Sequence, residues 1–96
     1  MKPSQALKIH RHDIKQVVAR HRALNPRVFG SVARDTDNEA SDLDLLVETT
    51  PDTSLLDIAL IEVELETLLG IPVDVVTPNG LAEGVRGRVL SEARAI

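Results

Sequence analysis

Apolar residues recur at helical spacing near the start of the chain. Leu7, Ile14, Val17 and Val18 share one stripe, which predicts a helix from about Gln5 to His21 with Ser4 as its cap and a less regular continuation to Leu24. Asn25-Pro26 predicts the turn into a short apolar strand at Val28-Phe29. Gly30 follows, then a helical turn over Ser31 to Arg34 and a polar loop from Asp35 to Ser41. Asp42-Leu43-Asp44 opens a second apolar strand. A longer helix begins within Pro51 to Ser54, with Thr53 or Ser54 as cap, and runs to Leu69, where Gly70 stops it. A third strand over Val73 to Val76 precedes the turn Pro78-Asn79-Gly80. The last helix, about Leu81 to Ala95, is weakened by Gly84 and Gly87.

The 54–69 helix carries two apolar stripes. Ile58, Ile61, Leu65, Leu68 and Leu69 fall on one face, and Leu56, Leu60 and Val63 on another. One stripe suffices to cover a sheet. The second is expected first to pack on a neighbouring helix of the same domain, and otherwise to form a partner surface. The sum is an α/β (α+β) fold: a three-stranded mixed sheet flanked by helices.

Chemistry gathers between Arg27 and Glu48. In a strand, residues two apart share a face, so Asp42 and Asp44 project together while Leu43 and Leu45 pack on the other side. Two such carboxylates repel by about 4 kcal/mol at an effective dielectric near 20, which calls for a cation between them. Mg²⁺ takes one or two carboxylates together with substrate phosphates. Gly30 lets backbone approach a ligand closely, and Ser31 offers a hydroxyl and an N–H at the start of a helical turn, where phosphate binds well. A third acid, Asp74, stands in the middle of an otherwise buried apolar run, a rare position unless paired or metal-bound. For Gly30 to meet Asp42, the first two strands should run antiparallel. A crossover through the long helix to a parallel third strand then puts Asp74 beside Asp44.

Composition narrows the classes further. Ninety-six residues are expected to form one domain, residues 1–96, with no room for a second substrate-binding domain. With no Cys, no signal-like N-terminus and no apolar run of transmembrane length, a reducing, cytoplasmic setting is expected, with no membrane partner. Phe29 is the one aromatic residue, so there is no base-stacking platform and no direct nucleic-acid binding is expected. Charge is uneven: residues 1–34 hold eight of the eleven Lys/Arg and a single acid, Asp13. The cations are spread through a helical pattern, so a solvated basic face is expected rather than a polyanion-binding arm. Arg86, Arg88 and Arg94 are surface charges or reach a phosphate or partner. His10, His12 and His21 lack the i, i+4 spacing of helical zinc ligands and are expected to be exposed or partner-facing.

Singly, Gly-Ser and Asp-x-Asp are weak signals. Together, with Ser31 and Asp42 separated by ten residues and Asp74 on a later strand, they resemble the signature of the DNA polymerase β-type nucleotidyltransferase superfamily. The short chain is similar to the minimal nucleotidyltransferases, the MNT-type antitoxins encoded beside HEPN-domain toxins. That resemblance implies a palm-like fold and transfer of AMP from ATP. Asp42, Asp44 and Asp74 are then catalytic and hold two Mg²⁺ ions, while Gly30, Ser31 and Arg34 bind the triphosphate. It further implies a HEPN-type toxin as partner, with a tyrosine hydroxyl as acceptor and loss of the toxin's ribonuclease activity as the result. Leu56, Leu60 and Val63 are the candidate contact to it. The chain has no Tyr of its own, which fits an acceptor in trans. Two alternatives accompany this reading: an antitoxin that acts by contact alone, and a transferase acting on a small-molecule or nucleic-acid hydroxyl. One departure is Asp35, which follows Arg34 where many relatives carry Gly.

Overall fold

The structure, a computed structural model, describes residues 1–96. The first helix, α1, spans Pro3–Arg20 and buries Ala6, Leu7, Ile14, Val17 and Val18, which include all four residues of the predicted stripe. It begins before Ser4, because Pro3 suits the first helical position. Ser4 therefore sits within the first turn, and its N–H donates to Asp37 Oδ2 at 2.9 Å, so a loop carboxylate caps the helix in its place. The helix kinks at His10, whose φ of −109° and ψ of 19° are not helical.

Strand β1, Ala23–Phe29, starts five residues before the expected Val28. Asn25-Pro26 is not a turn into the strand but a bulge within it: the register to the next strand slips between Leu24 and Arg27, and Asn25 takes a φ of 49°. Helix α2 is the single turn Gly30–Ala33. Strand β2, Leu43–Thr49, pairs antiparallel with β1, with Phe29 opposite Asp44. Helix α3, Leu55–Leu69, crosses over to β3, Val73–Val76, which runs parallel to β2. A 3₁₀ turn at Pro78–Gly80 leads to α4, Glu83–Glu92. The backbone then extends at Ala93, and Arg94–Ala95 forms β4 against the free edge of β1. The sheet thus has four strands, in the order β3-β2-β1-β4, instead of the expected three. The last two residues of the expected helix 81–95 are strand, drawn out by the unpaired edge of β1.

The main core lies under one face of the sheet. Leu43, Leu45 and Val47 of β2 meet Ile14 and Val18 of α1, Ile61 and Leu65 of α3, and Val73 and Val75 of β3. Ser54 caps α3 by accepting from the Asp57 N–H, and Asp57 returns the contact to the Ser54 N–H at 2.9 Å. Gly70 ends the helix in the left-handed conformation, φ 69°. Of the first α3 stripe, Ile61 and Leu65 are fully buried and Ile58 and Leu69 pack at the core margin, whereas Leu68 is exposed. The second stripe does not pack on a neighbouring helix. Leu56, Leu60 and Val63 all remain exposed, Val63 at the open groove between α1 and α3. Glu62 and Glu66 accept the Val75 and Val73 N–H groups at 3.1 Å each, closing the outer edge of β3.

Candidate active site

β1 delivers the chain to Gly30, where two constraints coincide. Its φ of +68° is the left-handed region, and a Cβ built there would lie 2.3 Å from Asp44 Oδ2 and 3.2 Å from its Cγ. Backbone therefore presses directly against the Asp44 carboxyl, a contact that excludes any side chain.

Asp42 precedes β2 by one residue and Asp44 lies within it, so the two share a face, opposite the buried Leu43 and Leu45. Asp44 is also the register partner of Asp74 in the parallel ladder, and neighbouring strands lie roughly 4.8 Å apart. The three carboxylates consequently meet at one end of the sheet. Asp44 is partly buried, whereas Asp42 and Asp74 are exposed. The expectation of an acid inside a buried run does not hold for Asp74: α3 covers the Val73 and Val75 side of β3 and leaves the other side open. Asp44 registers this setting electrically. Burial, then the charges of Asp74 and Asp42, push its carboxyl up to about 6 from 3.8, with Arg34 opposing and Glu92 adding to the rise. As placed, no three His, Cys, Asp or Glu side chains stand close enough together to hold a metal ion. The donor type of Asp42, Asp44 and Asp74, carboxylate oxygen, is the one Mg²⁺ takes, with substrate phosphates and water supplying the rest of its shell.

Ser31 is the second residue of α2, directly after Gly30, and Arg34 caps the far end of that turn. The Arg34 guanidinium, 54% exposed, is held by Glu92, to which Nη1 donates at 3.2 Å and 3.1 Å on the two carboxylate oxygens. Glu92 Oε1 also accepts the Gly30 N–H at 2.9 Å. That N–H, followed by the Arg34 guanidinium, holds the Glu92 carboxyl below its usual range despite some burial. Gly30 accordingly contributes shape and close approach, since its amide is already engaged. Glu92 is the one residue of this constellation that sequence reading passed over. Its place follows from the fold: β4 pairs with β1, Val28 facing Arg94, which sets the C-terminal end of α4 beside the start of α2.

The acids of the loop have partners of their own. Asp37 caps α1, Asp35 lies 3.7 Å from Arg94, and Glu39 lies 4.0 Å from the N-terminal amine. Asp35 takes a φ of 59°, the left-handed conformation that glycine adopts most readily and Asp tolerates. The other candidates fall elsewhere. Arg86 binds the Pro78 and Leu81 carbonyls at 2.8 Å and 3.0 Å and so is structural. His21, expected to be exposed or partner-facing, is largely buried and meets Glu64 at 2.7 Å, while His10 lies against Asp13. The largest concavity, about 420 Å³, is a groove between α1 and α3 floored by Val17, Val63 and Leu68, and none of Asp42, Asp44 and Asp74 lines it.

Comparison with known proteins identifies the family and the fold. The family model described as "Nucleotidyltransferase domain" matches residues 8–96. A Methanocaldococcus jannaschii protein provisionally named protein adenylyltransferase MJ0435 is 40% identical over 77 residues, covering 80% of this chain and 83% of that protein. Protein adenylyltransferase MntA of Thermococcus cleftensis is 43% identical over 65 residues, covering 68% and 66%. Among solved structures, one provisionally described as a minimal nucleotidyltransferase is 45% identical with a TM-score of 0.86, covering 97% of this chain and 95% of that one. A toxin–antitoxin structure with AMP-PNP shares the fold at a TM-score of 0.75 and 17% identity, covering 88% and 69%. With its palm-like sheet, its glycine against a strand carboxylate and a family match across nearly its whole length, the chain belongs to the nucleotidyltransferase domain family, in its minimal form.

Proposed function

We propose that residues 1–96 act as one minimal nucleotidyltransferase domain, an antitoxin that transfers AMP from ATP to a tyrosine hydroxyl of a cognate HEPN-type ribonuclease toxin in the cytoplasm. The observation that carries the transferase reading is the packing of Gly30 against Asp44, with Asp74 in register beside it. The protein-adenylyltransferase names of its relatives and the toxin–antitoxin complex among its structural neighbours support the acceptor class.

In this reading Asp42, Asp44 and Asp74 hold two Mg²⁺ ions. Bound there, Mg²⁺ neutralises triphosphate charge and lowers the pKa of the attacking hydroxyl. The chain's own groups do the rest. Asp74, exposed at the rim, orients the incoming hydroxyl and accepts its proton as the oxygen attacks the α-phosphorus. Ser31 and Gly30 seat the β- and γ-phosphates against the start of α2. Arg34, half in solvent, stabilises the charge that develops on the departing pyrophosphate.

A second reading has an observation of its own. The exposed Leu56, Leu60 and Val63 form an apolar stripe suited to a protein partner, and an antitoxin could silence its toxin through that contact alone. One experiment separates the two. The neighbouring toxin is incubated with this protein, ATP and Mg²⁺, and its intact mass is compared with that from a D42A/D44A variant. Added AMP units with the native chain only are expected. An unmodified toxin that is nonetheless bound and inhibited by both proteins would leave the contact reading standing.

A further inference from the structure

We infer that Glu92 is a positioning residue of the active site, fixing the Gly30 backbone and the Arg34 guanidinium in the arrangement that receives the triphosphate. The assignment rests on the nucleotide-transfer reading above and extends it to a residue outside the family signature.

Three observations converge on it. First, the fold brings it there: β4 pairs with β1, Val28 facing Arg94, so the end of α4 that carries Glu92 lies beside the start of α2 at Gly30. Second, one carboxylate makes both contacts. Oε1 accepts the Gly30 N–H at 2.9 Å, and the two oxygens take Arg34 Nη1 at 3.2 Å and 3.1 Å. The Glu92 side chain is 19% exposed against 54% for Arg34, so the anchor is the better buried partner and the cation the accessible one. Third, Arg34 commits a single nitrogen to Glu92. A guanidinium carries five N–H donors in a planar fork, so most of it is left for a phosphate.

The consequence is mechanical. Gly30 must hold a φ of +68° against the Asp44 carboxyl, and its N–H is tied to Glu92 while it does so. Arg34, on an exposed turn of one helical repeat, would otherwise sample many rotamers. Fixing it before the nucleotide arrives removes that ordering cost from binding.

The test is the affinity of the whole protein for a non-hydrolysable ATP analogue with Mg²⁺, measured by calorimetry beside a thermal melt. E92A is expected to weaken binding about tenfold. E92Q keeps an acceptor for the Gly30 N–H but loses the charge facing Arg34, and should weaken it about threefold. V89A, which loosens α4 at its buried residue without touching Gly30, should lower the melting temperature and leave affinity unchanged. Unchanged affinity in E92A and E92Q would reduce Glu92 to a structural contact and overturn the inference. Tighter binding would overturn it too, because Glu92 would then be competing with phosphate. Native protein that binds the analogue while the Glu92 variants match it defeats this assignment alone. Absence of binding in every protein defeats the nucleotide-transfer reading and the assignment with it.

Discussion

At Gly30 the cost of any other residue can be reasoned from two independent terms. A left-handed φ of +68° disfavours every residue with a Cβ, and the Cβ itself would overlap Asp44 Oδ2 at 2.3 Å. Asp35 and Arg22 also have positive φ, at 59° and 65°, yet carry side chains. What distinguishes Gly30 is therefore the neighbour: the carboxyl that would have to move is a side chain of the site itself. G30A is expected to destabilise the fold by about 1–3 kcal/mol, read as a lower denaturant midpoint with unchanged slope. It should also displace Asp44 and abolish AMP transfer in the toxin mass assay. Activity loss with full stability would mean that Asp44 yields easily. Stability loss with full activity would mean that the close approach serves folding only.

Among the elements, α3 shows how a local rule becomes a measurable contribution. Ser54 and Asp57 cap it reciprocally, and the backbone N–H of Ser54 is the chief cause holding the Asp57 carboxyl below its usual range. S54A removes one half of this box and should cost about 1 kcal/mol, seen as a lower melting temperature with the metal and nucleotide response intact. Elements governed by such local signals are the ones that sequence could disclose. The period-two alternation put Asp42 and Asp44 on one face, the Gly70 stop ended α3, and the crossover argument brought Asp74 beside Asp44. What stayed hidden depended on distant partners. Arg94–Ala95 is too short, and too polar at Arg94, to announce a strand, and only the vacant edge of β1 makes it one. Glu92 was hidden with it, since its contact with Gly30 spans 62 residues. The exposure of Asp74 and of Leu56, Leu60 and Val63 likewise follows from which faces α1 and α3 cover, a tertiary matter that periodicity alone does not decide.

Over the whole molecule, the basic N-terminal third and the acidic remainder meet in part across the α1–α3 seam. Arg20 and His21 reach Glu64, and Arg22 reaches Asp57. The two arginines are mostly in solvent, so their pairs are worth little each. The concentrated electrostatic cost lies instead at the carboxylate end of the sheet, where Asp44 carries a value of about 6 against 3.8. Between those two values the folded protein holds a proton on Asp44 that the unfolded chain has released. Stability should therefore fall as pH rises from about 4 to about 6 and then level off. Asp37, Asp57 and Glu92, all lowered, act in the other direction and in a lower window: their contribution is present above the ordinary carboxylate range and is lost on further acidification. Comparing the native chain with D44N isolates the first effect. In metal-free protein at pH 7.5, D44N should be more stable by on the order of 1 kcal/mol, the full shift being discounted for partial solvent exposure, and the difference should vanish near pH 4. Mg²⁺ should raise the melting temperature of the native chain at pH 7.5, do so less at pH 5 where a proton competes for Asp44, and leave D44N nearly unmoved. A D44N variant no more stable than the native chain at pH 7.5 would show that the neighbouring charges are already screened. Equal Mg²⁺ responses in the two proteins would place the cation elsewhere than on Asp44.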